Sequence, residues 1–195
     1  MNLTSRHMKL DHYTDGELMR DMALGRKEAM KLILDRYMAM VSRSAYRILC
    51  DREDCEYVTR EIFKIIWDNA SSYDGRYPIS IWICRIVCRV CLARLRRRRI
   101  LDVLSIRPSV YEPSDPSALS SDEEYIEKET WAVFCRASHG FSTKQRIIYA
   151  FKELEGFSVF DVASITGMKT DQIRADLYVA RKKVKQELER YGNVR

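Results

Sequence analysis

Two groups of side chains in this sequence have types and spacings suited to gripping a polyanion. The first lies between Ile79 and Arg99, where Arg85, Arg89, Arg94 and the run Arg96 to Arg99 follow Trp82. On a helix, at 100° per residue, Trp82, Arg85, Arg89 and Arg96 fall on one face. Ile79, Ile83, Ile86, Val87, Val90 and Ala93 fall on another. Guanidinium pairs with phosphate through two parallel hydrogen bonds and stacks on bases, and Trp82 with Tyr73 and Tyr77 adds stacking surfaces. The plainer reading is a solvated basic helix end favoured by the helix dipole. Four consecutive arginines exceed what that requires. On the nucleic-acid reading, Arg98→Ala weakens binding without regard to sequence and flattens its salt dependence.

The second group spans Ser158 to Lys182 and has the layout of a helix-turn-helix. A short helix carries Val162 and the small Ala163, which permits a close helix crossing. Gly167 follows four residues later, where a tight turn needs positive φ. Met168 and Ile173 are placed to pack the two helices together. The second helix then turns Lys169, Thr170, Asp171, Gln172, Arg174, Tyr178, Arg181 and Lys182 outward, a set able to read base edges and hold phosphates. An ordinary helical hairpin is the plain alternative. Arg174→Ala separates the two by altering site preference.

A third pattern, Cys84, Cys88 and Cys91, has the C-x3-C-x2-C spacing of an iron–sulfur motif, but it falls inside a continuous helix rather than on a loop. Small half-buried residues are the expected role. Cys50, Cys55 and Cys135 stand isolated, with no paired framework, and His7, His12 and His139 show no zinc spacing. There is no Walker loop, no G-x-G-x-x-G and no G-x-S-x-G. The expectation is therefore no enzymatic site, no cofactor and no metal.

The elements that must position these groups are helical. The chain has 195 residues, 46% hydrophobic and 32% charged, with seven Gly and four Pro, too few for a turn-rich barrel or sandwich. No apolar run approaches a bilayer span and residues 1–10 lack an export signal, so a cytoplasmic location without membrane insertion is expected. The net charge of +6 is unevenly spread. Residues 1–100 carry 20 Lys and Arg against 13 Asp and Glu, residues 101–131 carry 2 against 8, and residues 132–195 carry 12 against 7. Two basic blocks flank an acidic strip, as suits a protein that meets a polyanion at two places.

Capping signals predict helices from Thr14 to about Leu24, from Lys27 to Leu49 and from Asp51 to Trp67. A loop follows over Asn69 to Pro78, then the arginine helix behind Pro78. Residues 102–124 hold Pro108, Pro113, Pro116 and six Ser with no helical period, and read as a linker. Beyond it come helices over Glu123–Ala137, from the S-x-x-Q box at Ser142 to Glu155-Gly156, from Ser158 to Gly167, and from Thr170 to Tyr191. The predicted organisation is all-α: an N-terminal tail (1–11), a helical domain (12–101), a linker (102–124) and a helix-turn-helix domain (125–195).

In this order, the segments resemble the bacterial sigma factors of the extracytoplasmic-function (ECF) type. Glu17-Leu18-Met19, Ala29, Tyr37 and Ala45-Tyr46-Arg47-Ile48-Leu49 are similar to the opening helices of the family's sigma-2 domain. Glu56 to Trp67 resembles its A-E-D-x-x-Q-E-x-F-x-x-x-W segment, and Trp82 to Ile86 its W-L-x-R-I helix. Gln145-Arg146, Glu155-Gly156, Asp161-Val162-Ala163, Gly167, Ile173-Arg174, Leu177 and Ala180-Arg181 resemble sigma-4.

The resemblance implies a promoter-specificity subunit with core RNA polymerase (its β′ and β subunits) and promoter DNA as partners, and with an anti-sigma factor as a possible third. It implies polymerase docking through Glu56, Arg60, Glu61, Lys64 and Trp67. The −10 strand falls to Tyr73, Arg76, Tyr77, Trp82, Arg85, Arg89 and Arg96, and the −35 element to Lys169, Thr170, Gln172, Arg174, Ala175, Tyr178, Arg181 and Lys182. Five positions depart from the pattern. Tyr57 stands for Asp, Arg60 for Gln, Arg89 for Asn, and Ala175-Asp176 for Ser-Arg. A carboxylate facing phosphate costs affinity unless it lies off the DNA. The alternatives are a helix-turn-helix regulator acting without polymerase, a sigma-like protein that melts promoters weakly, and an enzyme built around the cysteines.

Overall fold

The computed structural model describes residues 13–103 and 123–192, with side chains for 13–100 and 131–191. The expected tail and nearly all of the expected linker lie outside the described residues. Eight α-helices and no strand occur among the described residues. The first unit contains α1 (Asp15–Ala23), α2 (Lys27–Leu49), α3 (Arg52–Asp68), a 3₁₀ turn (Ala70–Ser72) and α4 (Ile79–Val103). The second contains α5 (Glu123–His139), α6 (Thr143–Tyr149), a π-helical turn (Ala150–Leu154), α7 (Val159–Thr166) and α8 (Thr170–Gly192).

The boundaries follow from local chemistry. Thr14, Ser142 and Ser158 each form a capping box, with Glu17, Gln145 and Asp161 as the reciprocal partners. Asp51 caps α3 by accepting from Asp54 N at 2.8 Å. Gly167 ends α7 at φ +72°, and Cys50 ends α2 in the left-handed region at φ +50° without being a glycine. The helix starting at Ser142 was expected to run regularly to Glu155. It instead widens into the π turn, closed by Glu155 N to Ala150 O at 2.9 Å. The expected loop over Asn69–Pro78 contains the 3₁₀ turn.

In the first unit α2, α3 and α4 pack mutually and α1 lies on α2. Their core includes Ile33, Val41, Ile48, Val58, Ile62, Ile66, Ile83 and Val87, all below 1% exposure. The two units do not stand apart. Helix α4 packs on α7 and α6, α2 meets the π turn, and Ile147, Ile148, Phe151, Val162 and Ile165 continue the same apolar cluster. A second cluster gathers Cys50, Phe134, Cys135, Phe141 and Ala180. It is bounded by Tyr46 of α2 stacking on Trp131 of α5, with centroids 5.2 Å apart.

Two expectations for α4 change. Ala93 is exposed, because the buried face runs on through Cys91 and Leu95 instead. Cys84, Cys88 and Cys91 are buried rather than half-buried; Cys91 lies near Cys55, Asp54 and Glu61 of α3.

Candidate nucleic-acid interface

Helix α8 presents its predicted set largely as expected. Ile173, Leu177 and Ala180 are buried against the rest of the unit, which turns the opposite face to solvent. Lys169, Gln172, Arg174, Ala175, Tyr178, Arg181 and Lys182 are exposed, and Thr170 is half-buried at the first turn. Tyr178 is 71% exposed, a large aromatic that no core contact explains. Arg174 rests on Asp171 at 3.0 Å and Arg181 on Glu153 at 2.8 Å. Both are solvent-accessible pairs that a phosphate can replace. Asp176 lies two residues from Tyr178 and therefore about 160° round the helix from it. It is half-buried and lies within about 40° of Gln172, so the carboxylate stands beside part of the predicted set.

The arginine helix divides into two groups. Arg89 and Arg96 are exposed, together with Arg97. Arg94 and Arg98 turn instead to α3. Both hold the Asp54 carboxylate, Arg98 also pairs with Asp51 at 2.9 Å, and Arg98 donates to Leu49 O at 3.2 Å. Arg99 donates to Phe141 O at 3.3 Å in the second unit. The expected continuous row of guanidiniums is thus corrected. Asp54, only 6% exposed in its side chain, requires cationic partners, and Arg94 and Arg98 lie one turn apart on the face that meets it.

Arg85 is also turned inward. Its Nε donates to Ser164 O of α7 at 2.8 Å and its guanidinium lies 4.2 Å from the Tyr77 ring centroid. Tyr73 meets Trp82 edge-to-face at 5.8 Å and donates from its hydroxyl to Tyr77 O at 3.1 Å. Tyr73, Tyr77, Trp82 and Arg85 therefore form one cluster at the seam with α7. Arg76 stays exposed beside Asp74, 3.1 Å away. Burial and the nearby carboxylates of Asp15 and Asp74 raise the Tyr73 hydroxyl above the ordinary phenol range.

The predicted docking residues also separate. Arg60, Lys64 and Trp67 line a groove of about 390 Å³ between α2 and α3, with Met30, Leu34, Met38, Thr59 and Phe63. Glu56 is exposed one turn earlier and pairs with Arg52, while Glu61 is exposed about 100° round the helix from Arg60. Tyr57, one of the departures, lies against Arg94 with the guanidinium 5.2 Å from its centroid, and so shields the Asp54 ion pairs. Burial pushes the thiols of Cys84 and Cys88 up to about 12 and about 11, and that of Cys91 well above its ordinary value. No group of three or more metal-ligating side chains occurs among the described residues.

Residues 33–100 match the family model for sigma-70 region 2. They span the groove and the whole arginine helix through Arg99. An ECF RNA polymerase sigma-E factor of Haemophilus influenzae is 22% identical over 185 residues, covering 92% of this chain and 97% of the relative. The ECF RNA polymerase sigma factor SigM of Mycobacterium tuberculosis is 24% identical over 162 residues, 83% of this chain and 78% of its own. Over most of its length the chain is similar to sigma factors of the ECF type. The fold is shared by CnrH in its complex with the cytosolic domain of CnrY, at TM-score 0.62 and 17% identity over 90% of this chain and 97% of that one. It is also shared by RpoE of Bartonella quintana in complex with the anti-sigma factor NepR, at TM-score 0.65 and 18% identity over 82% and 96%.

Three features of the protein were not read from its sequence. Glu155, 3% exposed in its side chain, accepts from Arg47 at 3.0 Å and from Arg43 at 3.2 Å, joining the units at the end of the π turn. Arg146 is half-buried and donates to Ser138 O at 2.6 Å. Burial lowers the pKa of its guanidinium. Cys50 and Cys135 come together from opposite units. A buried acid next to glycine was the only available signal for the first, and none existed for the others.

Proposed function

We infer that the protein is a sigma factor of the ECF type and acts by binding, without catalysis of its own, through two domains (12–101 and 125–195) joined by the 102–124 linker. The groove between α2 and α3 is an apolar slot with Arg60 and Lys64 in its lining, suited to an amphipathic helix carrying acidic residues. It is the proposed seat for core RNA polymerase. Helix α4 contributes the exposed Arg89 and Arg96, with Tyr77 exposed beside it, and Arg85 joins when its bond to Ser164 O of α7 is released, together with Tyr73 and Trp82, to hold the −10 strand. Helix α8 reads the −35 element through Gln172, Arg174, Tyr178, Arg181 and Lys182. An anti-sigma factor is a fitting partner for the same surfaces, as the complexes of CnrH and RpoE suggest, and a cytoplasmic location belongs to this reading.

The observation that carries it is the exposed face of α8, with a fully accessible aromatic between arginines, in a chain that also holds a region 2 module. Run-off transcription with reconstituted core polymerase and a genomic fragment library tests it. Transcripts that appear only on addition of this protein, with a shared upstream element, support the reading. Transcripts independent of the protein overturn it, and absence of core binding in a pull-down at physiological salt favours a regulator that acts on DNA alone.

A further inference from the structure

Cys50 closes α2 in the first unit and Cys135 lies on α5 in the second, 85 positions further along the chain. The two cysteines are buried in one apolar cluster across the seam, where the Ser138 hydroxyl donates to Cys135 O at 2.7 Å. The Ser138 hydroxyl lies 3.9 Å from Cys50 Sγ. Cys50 owes its burial to residues of the other unit, Phe134, Phe141 and Ala180 with Cys135 itself, so parting the units uncovers it. We propose that Cys50 and Cys135 form a reversible disulfide that fastens the two helical units in the packed arrangement.

The surroundings favour such a bond at this pair alone among the six cysteines. Thiolates are stabilised by nearby cations and hydrogen-bond donors. The neighbouring Cys135, then Arg146, Ser138 and Arg98, outweigh burial and hold the Cys50 thiol below the ordinary value. The neighbouring Cys50, then burial, raise the pKa of Cys135. Cys55, Cys84, Cys88 and Cys91 are all shifted upward by burial and stay protonated.

The oxidant is a hydroperoxide such as hydrogen peroxide. The Cys50 thiolate attacks one peroxide oxygen; the S–O bond forms, the O–O bond breaks, and the departing hydroxide takes up a proton to leave as water. Cys135 sulfur then attacks the Cys50 sulfenic acid. The S–S bond forms, the S–O bond breaks, and hydroxide leaves with the Cys135 proton as a second water. Two thiols lose two electrons and the peroxide gains them. A dithiol reductant reverses the bond by thiol exchange.

This deepens the sigma reading, because a fastened seam keeps Arg85 on Ser164 O and holds α4 and α8 in one fixed relation. The test treats the reduced full-length protein with hydrogen peroxide, blocks residual thiols, and maps cysteines by mass spectrometry of non-reduced peptides. The expected result is a Cys50–Cys135 linkage in monomeric protein, reversed by dithiothreitol and accompanied by a higher urea midpoint. That rise is absent in Cys50→Ser and in Cys135→Ser, each checked for folding by circular dichroism. Cysteines 50 and 135 left alkylatable, or linked to other cysteines or between chains, overturn the proposal. In run-off transcription, reduced protein that directs transcripts establishes the sigma reading. The oxidised form is then expected to fall at least tenfold and to recover on reduction, whereas undiminished activity overturns the fastening. Reduced protein that directs no transcript overturns the sigma reading alone, since the mapped bond stands or falls separately.

Discussion

The ion pairs at Glu155 decide how firmly the two units are held, and their contribution follows from the geometry. Two unit charges about 4 Å apart attract by about 4 kcal/mol at an effective dielectric near 20. Burying the carboxylate offsets part of that, since its side chain is 3% exposed. The Arg47 side chain is 30% exposed and that of Arg43 is 53% exposed, so water screens both partners, Arg43 more. The Arg47–Glu155 coupling should therefore be about 1.5 kcal/mol and the Arg43 pair below about 1 kcal/mol. Arg47→Ala, Glu155→Gln and the double variant form a cycle readable by urea unfolding. The single variants should each lose stability and the double variant should lose less than their sum by the stated coupling. The same variants should bind a −10 single strand more tightly, because the seam over Arg85 opens more readily. A coupling near zero refutes the electrostatic account. Strand affinity that falls in step with stability refutes the claim that the packed arrangement covers the strand-binding cluster.

Arg174→Ala should shift the preferred −35 sequence, measured by selection from a randomised duplex library, while Arg89→Ala should weaken DNA binding for all sequences and lower the salt slope by about 0.9. Arg98→Ala should act differently from both, contrary to the first expectation for this residue. With Asp54 left to Arg94 alone, unfolding stability should drop by about 2 kcal/mol while the salt slope of DNA binding stays unchanged. The buried thiols set an alkaline limit. In the unfolded chain they ionise from about pH 8.5, whereas Cys88 and Cys84 stay protonated in the fold until about 11 and about 12. The stability due to each is fully present below about pH 8.5 and declines by up to about 1.4 kcal/mol per pH unit above it. Urea midpoints between pH 8 and 10.5 measure the slope, which Cys88→Ala should reduce.

Much of the fold was legible because it is encoded locally. Capping boxes at Thr14, Ser142 and Ser158 and the turn at Gly167 involve residues within a few positions of each other, and the apolar periods of α2 and α3 select their buried faces without reference to anything distant. The outward set on α8 was legible for the same reason: once Ile173 and Leu177 are inward, the helical period fixes where Arg174 and Tyr178 point. The arginine helix shows the limit of that reasoning. Its period correctly puts Arg85 and Arg89 on one side, yet Arg85 meets a carbonyl from α7 and Arg89 meets solvent. The difference depends on where a helix about 75 residues away comes to rest. Arg94 and Arg98 look from the sequence like further phosphate ligands, but a single acid on α3, Asp54, is buried at the crossing and takes both.

The same distance dependence accounts for Cys50 and Cys135, which no spacing relates and which only the docking of α5 onto the end of α2 brings together. Charge and periodicity therefore identify which side chains are able to bind DNA, whereas the packing of the two units decides which are available to do so at a given moment. Arg89, Arg96, Tyr77 and the outward face of α8 are exposed in the packed arrangement, while Arg85, Tyr73 and Trp82 are half-buried. On the proposed reading the exposed cations make first contact with duplex DNA, and Arg85 joins them once its bond to Ser164 O is released.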